Sequence, residues 1–423
     1  MDKSLLKRVA IQSIALMVAV ITSSYALEQY QTVKIFASDI NQEDTMDTFE
    51  KAQGIELVES GIALLPEAAA VTGSVIMATS PNDLRSQVDA DIMNQLSRDY
   101  LVIKKPNAEH ISFSLEDLYV KKSIKISLTG AFEDEPDSSK IMRVRGEDYY
   151  FGDPVYNEVI TQETDEKSGT VKEVITKDYG LDISHGITFT TVADETGLKR
   201  TEILIELDSV YAYTIYEDNN YYFIDLRKPS EVYDKILVID PGHGGKDAGA
   251  LSKNEEYYEK NINLGIVLAL KELLDKENIK VYYTRTADDT VFLRPRVTLG
   301  NAVDCDYYIS IHCNSNEVSS PNGTEVLYYD TEFHGVSSGD LARLFSEELG
   351  KTVELANRGI ILKHREDIFI MDKAEVPMIL IEMGYLSNSK DLNYLIDEQN
   401  QKIVAQGIYN GIMKAYEELP ASR

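Results

Sequence analysis

The chain has 423 residues, 43% of them hydrophobic, enough for two or three domains with packed cores and too many for a disordered chain. Its formal net charge of −29 excludes the basic footprint that nucleic-acid binding requires, and with it charge-driven attachment to anionic membranes or wall polymers. At the N-terminus, Lys3, Lys7 and Arg8 precede an apolar run over residues 9–22 and then the small-x-small triplet Ser24-Tyr25-Ala26. This pattern predicts a secretory signal over residues 1–26; the run is shorter than the about 20 residues of a membrane span, and an uncleaved anchor is the alternative. Either way the body of the chain is expected outside the cytoplasm, secreted or wall-associated, or in the periplasm of a cell with an outer membrane.

Residues 27–95 sustain no period and read as a linker or poorly specified region. Residues 96–230 read as a β-rich domain: "HISFSLEDLYVKKSIKISLTG" alternates apolar and polar residues in places, and "SVYAYTIYEDNNYYFIDL" predicts a hairpin turning at Asp218-Asn219-Asn220. "TQETDEKSGTVKE" predicts a polar surface loop. From Lys235 the pattern changes. Strands are expected at "KILVID", "IKVYYTR", "YYISIH", "TEVLYY" and within "MILIEMGYL", and helices at "EKNINLGIVLALKELLDKEN", "SGDLARLFSEELGKTVE" and the C-terminal "QKIVAQGIYNGIMKAYEEL". Alternating strands and helices predict an α/β domain over residues 234–419, an open, mostly parallel sheet flanked by helices. The only two cysteines, Cys305 and Cys313, lie eight positions apart in one extended stretch, beyond bridging distance, and read as small apolar fillers.

The polar residues of this domain fall at one edge. His243 follows "KILVID", His312 ends "YYISIH" and Glu382 ends "MILI". In open α/β sheets, ligands bind beyond the carboxyl ends of the strands, so the three emerge together. Glu259 opens the helix after the glycine loop "PGHGG" and lies three and seven positions before Ile262 and Ile266, which extends the buried stripe to it. Glu255 and Glu256 read as a solvated helix start. Two histidines and a carboxylate form a recurring zinc set with one position left to water, and Glu382 remains as a candidate base. Zinc lowers the pKa of such a water toward ~7. The glycines are expected to bare one side of His243 for a bulky substrate. The loop is neither GxxxxGK[ST] nor GxGxxG, because Asp247 replaces the last glycine. His110, His185, His334 and His364, in "ILKHRED", read as surface or turn residues; for His364 a position facing substrate is the alternative.

These residues resemble the zinc-dependent N-acetylmuramoyl-L-alanine amidases of the Amidase_3 type. The resemblance runs from Lys235 to Leu419 through "VIDPGHGGKDAGA", "EKNINL", Thr284-Arg285, "LRPRVTLGN", "YISIHCNS", "GTEVLYY", "NRGI" and "VPMILIEMGYLSN". It implies Zn2+ on His243, Glu259 and His312, a catalytic Glu382, and peptidoglycan as substrate, cut between N-acetylmuramic acid and the L-alanine of the stem peptide. Cys313 and Gly300 stand where the family often has alanine. The segment between "GTEVLYY" and "IEMGYLSN" is short and lacks the insertion that carries an autoinhibitory helix in some members. In its strands and position, the region over residues 96–230 resembles the AMIN-type modules that localise such amidases. A zinc peptidase acting within the stem peptide and a non-catalytic wall-binding protein are the rival readings; the complete set of four residues counts against the second.

Overall fold

The computed structural model describes residues 62–65, 77–105, 110–130, 136–164, 171–193, 195, 197–364 and 366–421. The chain divides into two compact units, Met1–Gln53 and Gly54–Arg423, and all described residues belong to the second. The expected signal lies outside the described residues. No helix among them is long and apolar enough to cross a membrane.

Two five-stranded antiparallel sheets precede the α/β region. One runs in the order Ile62–Leu65, His110–Leu118, Ser123–Gly130, Lys199–Leu207, Ser184–Ala193, and the other Ala212–Glu217, Tyr221–Arg227, Asp99–Lys104, Ile141–Arg145, Asp148–Tyr150. Alternate residues face a common core, with Phe113, Leu115, Ile126 and Ile203 from the first and Leu101, Ile103 and Ile224 from the second. The expected hairpin turns at Asp218, whose carboxylate accepts from the N–H groups of Asn220 and Tyr221. Two departures appear. Residues 77–95 hold two short helices, Pro81–Gln87 and Ala90–Gln95, and Leu84 and Val88 pack against Tyr100, Val102 and Phe223. The stretch expected as a polar loop, residues 161–173, begins and ends in paired strand, Asn157–Thr164 against Val171–Asp178, and residues 165–170 lie outside the described residues. Val159, Ile160, Val174 and Ile175 supply β-branched residues there, and these sustain the strands although Ile160 and Ile175 stay exposed.

The α/β region contains strands β1 (Ile236–Pro241), β2 (Lys280–Tyr283), β3 (Tyr307–Asn314), β4 (Thr324–Tyr328), β5 (Asn357–Leu362) and β6 (Met378–Tyr385). Their order is β2-β1-β3-β6-β4-β5. The first four are parallel; β4 and β5 are parallel to each other and antiparallel to β6, so the mostly parallel sheet ends in a reversed pair. Its helices are α1 (Glu259–Leu274), α2 (Leu293–Val303), α3 (Ser338–Thr352), α4 (Phe369–Asp372), α5 (Ser389–Leu395) and α6 (Glu398–Glu418). One face of the sheet, through Ile309 and Ile381, packs on Ile262 and Ile266 of α1, Phe345 of α3 and Ile408 of α6. The other face, through Val238, Tyr308 and Leu380, packs on Val297 of α2 and Ile370 of α4. Cys313 belongs to the first face and Cys305 to the second; both are buried.

Tyr119 and Val120, from the turn between two N-terminal strands, join the second face. The Tyr119 hydroxyl donates to the Tyr283 carbonyl at 3.0 Å and accepts from the Tyr283 N–H at 3.2 Å, so a side chain completes the edge of β2.

Candidate metal centre

β1 is buried throughout and delivers the chain to a loop that turns back over the sheet. Gly242 leaves it, and its N–H still bonds Ile311 of β3 at 2.9 Å. His243 follows with φ 62°, a left-handed conformation that few side chains adopt. A Cβ on Gly242 would run into the His312 ring, and one on Gly249 would meet the Glu259 carboxylate and the His243 ring. Those on Gly244 and Gly245 would meet Asp289 and Thr290. The glycines therefore face protein: Gly242 and Gly249 let the His243 loop close on His312 and Glu259.

Two buried arginines hold this loop through its carbonyls. Arg285 donates to Pro241 and Gly242 at 3.0 and 2.9 Å. Arg296 of α2 donates to Pro241 at 2.9 Å and His243 at 2.6 Å. Beneath them Asp240, fully buried, accepts from Arg296, Thr284 and Ser310. The sequence contains these residues in "TR" and "LRPRVTLGN" but gives no sign of their task.

The ring nitrogens of His243 and His312 and a Glu259 oxygen all lie within 4.8 Å of one another. Glu259 sits at the first helical position of α1, 3% exposed, and bridges the two rings. Its Oε2 is 3.1 Å from His243 Nε2 and its Oε1 is 3.0 Å from His312 Nδ1. The N–H groups of Ala250 and Cys313 and the Asn263 amide also donate to this carboxylate. Asp247 holds His243 Nδ1 at 2.8 Å, an orienting contact from the residue that spoils the GxGxxG pattern. These separations match the about 3.3 Å between neighbouring ligand atoms of a tetrahedral site with bonds near 2.0 Å, so the donor set fits a zinc-sized ion. Burial alone would raise the Glu259 carboxyl, but the two imidazoles hold it well below the usual carboxylate range. Burial alone would lower His243, but Glu259 and Asp247 push it up to about 9.

Glu382 lies beside His312 in the β3–β6 register. Its Oε2 is buried with no hydrogen-bond partner among the described residues, and burial pushes its carboxyl up to about 7, with His312 opposing. Glu255 and Glu256 are exposed, as expected. His334 pairs with Asp304, His185 stacks on Tyr179 and His364 is exposed; none of the three joins the cluster.

A profile of the family described as N-acetylmuramoyl-L-alanine amidase matches residues 237–414. The Bacillus subtilis (strain 168) protein YqiI is 32% identical over 184 residues, 44% of this chain and 86% of YqiI. The probable cell wall amidase LytH of Staphylococcus saprophyticus is 35% identical over 186 residues, and the match spans 44% of this chain and 60% of LytH. The solved catalytic domain of CwlV, an N-acetylmuramoyl-L-alanine amidase from Bacillus (Paenibacillus) polymyxa, is similar at 34% identity with a TM-score of 0.41, over 43% of this chain and 98% of that one. The family profile takes in all six strands of the sheet and most of its helices, and a relative is matched across most of its length: the chain belongs to the N-acetylmuramoyl-L-alanine amidase family and is an enzyme of that kind.

Proposed function

We propose that the protein works outside the cytoplasm on peptidoglycan, hydrolysing the amide between the lactyl group of N-acetylmuramic acid and the first L-alanine of the stem peptide. In this reading Zn2+ is held by His243, Glu259 and His312. Bound there, it supplies a Lewis acid that brings a water's pKa toward ~7. Glu382 takes the proton of the attacking water and passes it to the leaving nitrogen, turning a poor leaving group into an amine. Arg285, just after β2, and Arg296 of α2 act at a distance, fixing the loop that aims His243. The β-rich region over residues 96–230 serves in attachment to the wall. With a net charge of −29, that attachment rests on contacts other than charge attraction.

The observation that carries the catalytic role is the state of Glu382. Its Oε2 is buried and unpaired, next in register to His312, and its carboxyl is poised at about 7. A structural carboxylate would have its partners satisfied. Glu382→Gln keeps the shape and cannot accept a proton, so the variant is expected to retain zinc, measured by emission spectroscopy, and to lose turnover of purified sacculi. Near wild-type turnover would remove Glu382 from the role. Mass spectrometry of the products tests the bond: a free lactyl carboxylate and a new alanine amine are expected, and cleavage between stem residues would favour a peptidase.

A further inference from the structure

The row of polar side chains does not end at Glu382. In the antiparallel β4–β6 register Glu325 stands directly opposite Glu382, which sets their side chains on the same face of the sheet. Beyond it, the β4–β5 register slips between Thr324 and Val326, so that Glu325 faces the bulge at Arg358-Gly359. His312, Glu382, Glu325 and Arg358 thus form one line across β3, β6, β4 and β5.

Arg358 is held from one side only. Its Nε donates to Glu325 Oε1, and its guanidinium carbon stands 5.6 Å from the Tyr385 ring centroid. Glu325 is 6% exposed and is itself fixed: Tyr385 Oη donates to it at 2.9 Å and the Asn314 amide at 3.4 Å. The two terminal nitrogens of Arg358 bond no described residue, and 42% of the side chain is exposed. A guanidinium anchored through Nε presents the outer edge of its fork to solvent in a fixed plane, the geometry that matches a carboxylate. In a chain of net charge −29, a guanidinium paired through Nε alone, with its terminal nitrogens open and in line with Glu382, offers an oriented place for an anion.

We infer that Arg358, positioned by Glu325 and Tyr385, forms a subsite for a free carboxylate on the second residue of the stem peptide. The inference rests on the substrate reading given above. Distance supports it: neighbouring strands lie about 4.8 Å apart, so Arg358 begins about 10 Å from Glu382 and its side chain closes much of that gap. A peptide extends about 3.5 Å per residue, so the residue after alanine arrives over β4 or β5 when the peptide crosses the strands.

The test uses the full zinc-loaded chain and two muramoyl dipeptides that differ only in whether the second residue's carboxylate is free or amidated. The wild type is expected to favour the free acid in kcat/KM by about 10- to 100-fold, the size of one or two charge-assisted hydrogen bonds. Arg358→Gln should collapse that ratio toward one, and Arg358→Lys, which keeps the charge but not the fork, should leave part of it. A wild-type ratio near one overturns the subsite. So does an Arg358→Gln variant that loses both substrates in step with the ratio intact, since that is what a residue that merely neutralises Glu325 would do. Product identification runs beside it: cleavage at another bond overturns the bond assignment, while the ratio alone judges the subsite.

Discussion

Glu259 draws five hydrogen-bonding partners to one carboxylate, and its charge decides the protonation of its neighbours. In the metal-free protein it and Asp247 lift His243 to about 9 against the effect of burial. A metal needs the neutral imidazole, so binding at neutral pH displaces a proton, and zinc affinity should rise as pH approaches about 9. Calorimetry in buffers of different ionisation enthalpy should detect that proton; a heat independent of buffer at neutral pH would contradict it. For stability without metal the sign is opposite. The raised imidazole contributes stability that is fully present below its ordinary value of 6.5 and is lost as pH rises through about 9. Glu382 acts the same way, since its raised carboxyl makes ionisation costly as pH climbs toward about 7. Asp247→Asn should weaken zinc roughly 10- to 100-fold through loss of an orienting partner, measured by chelator competition, whereas Glu255→Ala and Glu256→Ala should leave zinc content unchanged. Glu259 was legible in the sequence because helical spacing carries the stripe of Ile262 and Ile266 back to it. Asp247 was not, because its contact depends on a left-handed turn at His243 that no spacing reveals.

Among the elements, the β1 loop depends on an ion pair with almost no access to water: Arg296 is 2% exposed and Asp240 0%. Removing one partner strands the other charge, so Arg296→Leu should cost about 3–5 kcal/mol in urea unfolding, more than a surface arginine would. Loss of under about 1 kcal/mol, the range of an exposed pair, would contradict this. The same arginine explains why α2 was missed: a buried Arg296 scores as polar and breaks the apolar stripe that Val297 and Val303 begin. β5 was missed because its residues are exposed or half-buried and show no alternation. The parallel strands were legible as apolar runs ending in a polar residue, and the rule that ligands gather at carboxyl ends found His243, His312 and Glu382. It could not find Glu325 or Arg358, because β4 and β5 run the other way and bring their amino ends to that edge.

Across the whole molecule, the switch from antiparallel strands to alternating strands and helices near Lys235 was plain in the sequence. The contact between the two regions was not, since Tyr119 and Val120 read like any other strand residues. Their removal defines a prediction. A chain starting at Pro229 keeps the sheet, both helix layers and all four site residues, so it should fold, bind zinc and hydrolyse soluble muropeptides. It also loses the hydroxyl that pairs with Tyr283 and uncovers Tyr282, which is 1% exposed in the full chain. It should therefore melt several degrees lower, as about 1–2 kcal/mol of lost contact would produce, and self-associate through the freed edge of β2. Scanning calorimetry and light scattering would show both effects; an unchanged melting temperature would mean the contact is incidental.

The position of Arg358 on β5 has a consequence for descent. β5 is an edge strand of exposed or half-buried residues, whereas His312 and Glu382 lie on interior strands packed between helices. Exchanges on an outer strand disturb little else, so if Arg358 reads the peptide as inferred, it can change without disturbing the strands that carry His312 and Glu382. Lineages that amidate their wall could replace this arginine in one step and keep the hydrolase intact.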